Sequence, residues 1–169
     1  MALEGDVSSK NIYGDGIAIA TIVNDKGKNG TLTSNNITNE YEIAMGRKIK
    51  TSTGLADIKQ TKVVEHAIYF ETCNLTSAGK TTVSKTWLFG CFSASRPAES
   101  YDQTTDDTNE ATFENNFTIR GTKLLSAEGT TPYKDLDGNE VYVWQTTVLP
   151  GDVGYETFGE SVPVVKMGA

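Results

Sequence analysis

Two apolar runs around a long polar link, between Thr81 and Leu125, constrain this chain more than any other stretch. The second run, Ala111 to Gly121, alternates cleanly. Phe113, Phe117 and Ile119 fall on one side with Asn115 among them, and Glu114, Asn116, Thr118 and Arg120 fall on the other. That period of two belongs to a strand with one dry and one wet face. The first run, Val83 to Phe92, carries bulk on both faces and predicts a strand lying deeper in a sheet. Ser93 to Glu110 joins them, is almost wholly polar and holds Asp102, Asp106, Asp107 and Glu110, with Pro97 as a breaker. A domain seldom keeps so long a link without a use for it, so this loop is expected to touch a partner.

The 169 residues suffice for one domain with a real core. Apolar content of 37% and charged content of 22% are both low, while Thr, Asn, Ser and Gly are abundant, a mixture that favours strands and turns over helices. The net charge is −7 and no cluster of Lys and Arg appears, which argues against a groove that grips nucleic acid. It leaves room for a surface that nucleic acid slides past. No amino-terminal run reads as a signal peptide and none approaches a membrane span.

Along the chain, Met1 to Gly16 reads as an arm or edge piece. Ile17 to Val23 reads as a strand, Asn24 to Gly30 as a hairpin turn on the Asn29-Gly30 pair, and Thr31 to Thr33 as the start of a return strand. Glu40 to Lys50 alternates and predicts a strand, whereas Gly54 to Ile58 fits a helical turn or a loop. Thr61 to Cys73 predicts another strand, although a helical period fits Val64, Ala67 and Ile68 almost as well. Asp137-Gly138 signals a hairpin before a strong strand from Val141 to Leu149. Asp152 is placed to cap a short helix from Val153 to Glu160, and Val162 to Lys166 is a last extended piece. The sum is mainly β: an antiparallel sandwich or barrel-like fold with one or two short flanking helices, in a single domain over 1–169.

Residue types that carry chemistry are sparse. His66 is the single histidine, and its spacing from Cys73 and Cys91 matches no common zinc pattern. Both cysteines lie in or beside apolar runs and read as buried free thiols, with a disulfide as the alternative. Asp135, Asp137, Asn139 and Glu140 imitate the start of a calcium loop, but Gly138 comes fourth and a strand follows, so a turn is the better reading. No phosphate-cradling loop and no nucleophile elbow appears. The expectation is no catalytic residue, no cofactor and no metal. Trp87, Phe89, Phe92, Tyr142, Trp144 and Phe158 are expected in the core, or as anchors of a subunit interface.

Lys85 to Ala94, Pro97 to Tyr101 and Asn109 to Gly121 together resemble the middle of the major tail proteins of long-tailed phages. The pattern is an aromatic strand with Gly90-Cys91-Phe92, a Pro and Glu loop, a polar Thr/Asp run, and a strand ending Thr118-Ile119-Arg120-Gly121. The opening Met1-Ala2-Leu3 and the stretch Asp152 to Phe158 fit as well, and the length suits the small tube protein of a lactococcal-type siphophage. The likeness is best over 83–125. It departs at Gly54 to Gln60, where relatives often have a clearer helix.

The resemblance implies a tail tube fold, six subunits per ring, and rings stacked into a channel through which DNA is ejected. It also implies a place in the virion and, as partners, the distal tail, tape measure and tail terminator proteins. The loop 93–110, with Pro97, Glu99, Tyr101, Asp106 and Asp107, is the first expected contact between subunits. The arm 1–16, with Asp6 and Tyr13, is the second. Rival expectations are another self-assembling β protein of a virion or secretion tube, and a carbohydrate-binding module with Trp87 and Trp144 in an open groove.

Overall fold

The computed structural model describes residues 1–14, 17–34, 37–75, 79, 81–93, 96 and 113–168. In chain order the elements are β1 (Ala2–Gly14), β2 (Ile17–Ser34), α1 (Asn39–Ala44), β3 (Lys48–Thr51), β4 (Gly54–Asp57), β5 (His66–Leu75), β6 (Thr81–Phe92), β7 (Phe113–Ile119), β8 (Thr122–Lys123), β9 (Tyr142–Val143) and β10 (Gln145–Val148). The chain is mainly β, as its Thr-rich and alternating sequence requires. The pairs β1–β2, β3–β4, β5–β6, β6–β10 and β8–β9 are all antiparallel. The chain divides into two compact units: Met1–Glu65 with Phe92–Thr118, and His66–Cys91 with Ile119–Ala169.

In the first unit β1 and β2 form a long antiparallel ribbon, running from Ala2 opposite Thr31 to Gly14 opposite Ile17. The expected arm is therefore a strand of 13 residues, and the turn expected at Asn24 to Gly30 is not a reversal, since β2 runs straight through it. The local turn chemistry is used for a bulge instead. Gly27 has φ 101°, its N–H donates to the Asp25 carboxylate at 3.1 Å, and the register slips between Gly5 and Val7 opposite it. β2 also pairs with β7. There Thr31 Oγ1 donates to Asn116 Oδ1 at 2.7 Å and Thr118 Oγ1 donates to Asn29 Oδ1 at 3.1 Å. Gly30 sits under the Phe117 ring so closely that any Cβ would collide with it. The dry face expected for β7 is observed: Asn115, Phe117 and Ile119 are buried, and Asn115 Nδ2 donates to the Tyr41 hydroxyl at 3.0 Å.

The strand expected over Glu40 to Lys50 is a correction. Its first part is α1, and only Lys48–Thr51 is extended. Thr38 caps the helix by accepting from the Tyr41 N–H, Glu40 and Glu42 sit in the first turn where the dipole favours them, and Gly46 at φ 69° stops it. Six residues give too little length for period two and period 3.6 to be told apart. Gly54 to Asp57, expected as a helical turn or loop, is β4, the return strand of a tight hairpin with β3. Arg47 is fully buried and pairs with Glu42 at 3.2 Å, beside Met45 at 2% exposure. Arg96 donates to the Arg47 and Ile58 carbonyls and lies 3.7 Å from Asp57, so it closes the end of that hairpin.

In the second unit β6 is central, with β5 on one side (Tyr69 opposite Trp87) and β10 on the other (Thr146 opposite Trp87). Trp87, Leu88, Phe89, Cys91 and Ile119 make its core, in agreement with the bulk on both faces of this run. Gly90 and Gly121, both at positive φ, let two backbones meet: the Gly121 N–H donates to Phe89 O and the Arg120 N–H to Gly90 O, each at 3.1 Å. The same turn at Gly121 separates β7 from the short β8. The strand expected over Val141 to Leu149 is also broken, into β9 and β10 at Trp144, whose carbonyl accepts from the Phe89 N–H.

The helix expected over Val153 to Glu160 is a run of turns, because Gly151 and Gly154 adopt φ 100° and 82°. Side chains clasp it to the sheet. Trp87 Nε1 donates to Phe158 O at 2.7 Å, and the Tyr155 hydroxyl donates to Val83 O at 2.7 Å. Lys85 donates to Tyr155 O at 2.9 Å with its ammonium over the Tyr155 ring. Both thiols are free, but only Cys91 is buried; Cys73 is exposed, a correction to the expectation of two buried ones. Its place near the end of β5, where burial lapses from Glu71 onward, explains the difference.

Candidate assembly surface

Of the expected contact residues, Asp6 and Tyr13 both lie on β1, Asp6 half-buried at the register slip and Tyr13 at 63% exposure. Pro97, Glu99, Tyr101, Asp106 and Asp107 lie outside the described residues.

Around Tyr13 the ribbon exposes a set of large apolar side chains that sequence reasoning did not single out: Val7, Ile12, Ile17, Ile22 and Val23. Register places them. Val7 opposite Asp25 and Ser9 opposite Val23 share one face; Lys10 opposite Ile22 and Ile12 opposite Ala20 share the other. Each face therefore carries apolar groups, and each is open. From Val7 to Asn24 the sequence has only Lys10 and Asp15 as charges. That local poverty of charge, together with β-branched residues on both sides of the alternation, was the signal available in the sequence.

Strand borders are open too. Among the described residues, β1 pairs only with β2 and β5 only with β6, which leaves two borders of 13 and 10 residues. An open border presents a row of backbone donors and acceptors to any strand of matching length. Below the ribbon, Glu4, Asn29, Thr31, Phe92 and Asn116 line a hollow of about 470 Å³.

The polar groups that the sequence offers for a metal or a sugar bond within the chain. The Asp135 carboxylate accepts from the N–H groups of Asn139 at 2.8 Å and Asp137 at 3.0 Å, and these bonds hold it below its usual carboxylate range. Glu140 turns away to Lys123 at 2.7 Å, so the calcium-like spacing folds as the expected hairpin turn. Among the described residues no three of His, Cys, Asp and Glu converge on a metal position. Tyr69 donates to Glu71 at 2.5 Å, which pushes its hydroxyl up to about 12. Trp87 is 8% exposed with its Nε1 bonded, so it forms no open platform for a sugar. No helix among the described residues is long and apolar enough to cross a membrane. No family model, curated protein or solved structure matches this chain.

Proposed function

We propose that the chain is a structural subunit that polymerises with copies of itself, as the tube protein of a siphophage tail. The observation that carries this reading is the open border of β1, which among the described residues pairs with β2 alone: a strand partnered on one side is completed by addition of another strand. Six-fold rings, their stacking, passage of DNA through the lumen and association with distal tail, tape measure and terminator proteins come from the resemblance over 83–125. The net charge of −7 supports a channel past which phosphate moves without sticking. In this reading the protein is made in the host cytoplasm, resides in the virion and has no catalytic role. Negative-stain electron microscopy of the purified chain across a concentration series tests it. Tubes of stacked rings are expected; lone particles at every concentration, with tail-initiating partners present, overturn it.

A further inference from the structure

An isolated two-stranded ribbon is marginal in water, because pairing two strands satisfies the backbone on one side only and buries little side-chain surface. The half of β1–β2 that lies beyond the β-bulge is in that position. Tyr13 is 63% exposed, Ile17 71%, Ile22 54% and Val23 63%. The proximal half is different: Gly27 and Gly30 are buried, and hydrogen bonds tie Asn29 and Thr31 to β7.

We infer that the distal half of the β1–β2 ribbon is a docking surface covered on both faces by a second copy of this chain. The inference rests on the self-assembly reading and gives it a contact. Three observations choose this occupant. The ribbon is nearly without charge, which suits the dry centre of a protein interface and gives nucleic acid or an acidic lipid surface nothing to hold. Apolar groups stand on both faces, so a flat surface would cover only half of them; an element inserted between layers covers both. The six large side chains Val7, Ile12, Tyr13, Ile17, Ile22 and Val23 offer on the order of 600 Å² per copy, and two copies together reach the lower end of a standard specific interface.

Hydrogen exchange followed by mass spectrometry on the full-length chain, below and above its assembly concentration, tests the inference. Amides of residues 7–13 and 17–25 are expected to exchange fast in dilute protein and at least about tenfold more slowly once assembled. The double variant Ile22→Ser/Val23→Ser removes one apolar group from each face, and Val7→Ser/Tyr13→Ser is its independent counterpart. Both are expected to keep slow exchange in β6 and to raise the assembly concentration more than about tenfold. If the wild-type chain assembles while the ribbon stays fast-exchanging, the inference falls and self-assembly stands. If the ribbon is already protected in dilute protein, the chain covers it itself and the inference falls again. If no assembly occurs at any concentration, the self-assembly reading falls and takes this contact with it. The wild-type measurement decides the question even where a variant fails to fold.

Discussion

β2 and β6 are both flanked on two sides over part of their length, and they differ in what covers their faces. β6 is interior: Leu88 and Cys91 have no exposure and Phe89 has 3%. The distal part of β2 has Ile22 and Val23 more than half exposed. Backbone pairing is available to both, yet a net hydrogen bond contributes only about 1 kcal/mol. A fully buried Leu or Ile adds about 1.5–3 kcal/mol more. The stability of β6 is therefore gained within the chain, whereas the distal ribbon has burial still to gain outside it. Sheet hydrogen bonds set where a strand runs; burial sets whether it holds alone.

The largest expected effect lies at the one charged pair taken out of water among the described residues. Glu42→Ala removes the carboxylate that lies 3.2 Å from the fully buried Arg47 guanidinium and is expected to cost about 3–5 kcal/mol in urea unfolding. Next comes the contrast itself. Leu88→Ala is expected to cost about 2–5 kcal/mol, and Ile22→Ala under about 0.5 kcal/mol in dilute protein, read from the urea midpoint. An Ile22→Ala loss comparable to that of Leu88→Ala would break the comparison, since the ribbon would then be part of the monomer's own core. Smaller than the Leu88→Ala loss is that of Trp87→Phe, which removes the bond to the Phe158 carbonyl at a cost of about 1 kcal/mol. Its readout is faster proteolysis within 150–160, with β6 still protected.

The β class and the two best strands were legible because their signal is local. Phe113, Phe117 and Ile119 repeat every second residue or at multiples of two, and both faces of Val83 to Phe92 carry bulk. The misreadings share a cause: short-range chemistry used for something other than its commonest purpose. Asp25 to Gly30 has the residues of a turn, but the neighbouring strand β1 holds it extended and Gly27 becomes a bulge. Asp152 has the chemistry of a helix cap, and its carboxylate does accept a backbone N–H, that of Leu149, but Gly154 forbids the helix beyond. The exposed ribbon was the hardest to read. Val, Ile and Tyr on both faces of a strand ordinarily mean deep burial, and nothing in the residues themselves distinguishes burial within a chain from burial between chains.

The two native thiols measure the same difference without any substitution. Cys73 is exposed on the open border of β5, and Cys91 is fully buried in β6, where burial pushes its thiol up to about 12. A maleimide or disulfide reagent at about pH 8 is expected to modify Cys73 at the rate of a free thiol and Cys91 only as fast as β6 opens. Urea should accelerate the second reaction alone. The sign with pH follows from the same burial: the folded thiol stays neutral up to about 12 while the unfolded one ionises near its ordinary 9.0. This group's contribution to stability is complete below 9.0 and is lost as pH climbs from there toward 12. The substitution Ser9→Cys, opposite Val23 on the ribbon, carries the measurement to the other side of the comparison. The introduced thiol should react like Cys73 in dilute protein and slow toward Cys91 once copies assemble. Equal reactivity of that thiol in both states would show that the ribbon stays bare, and would leave its apolar faces without a partner.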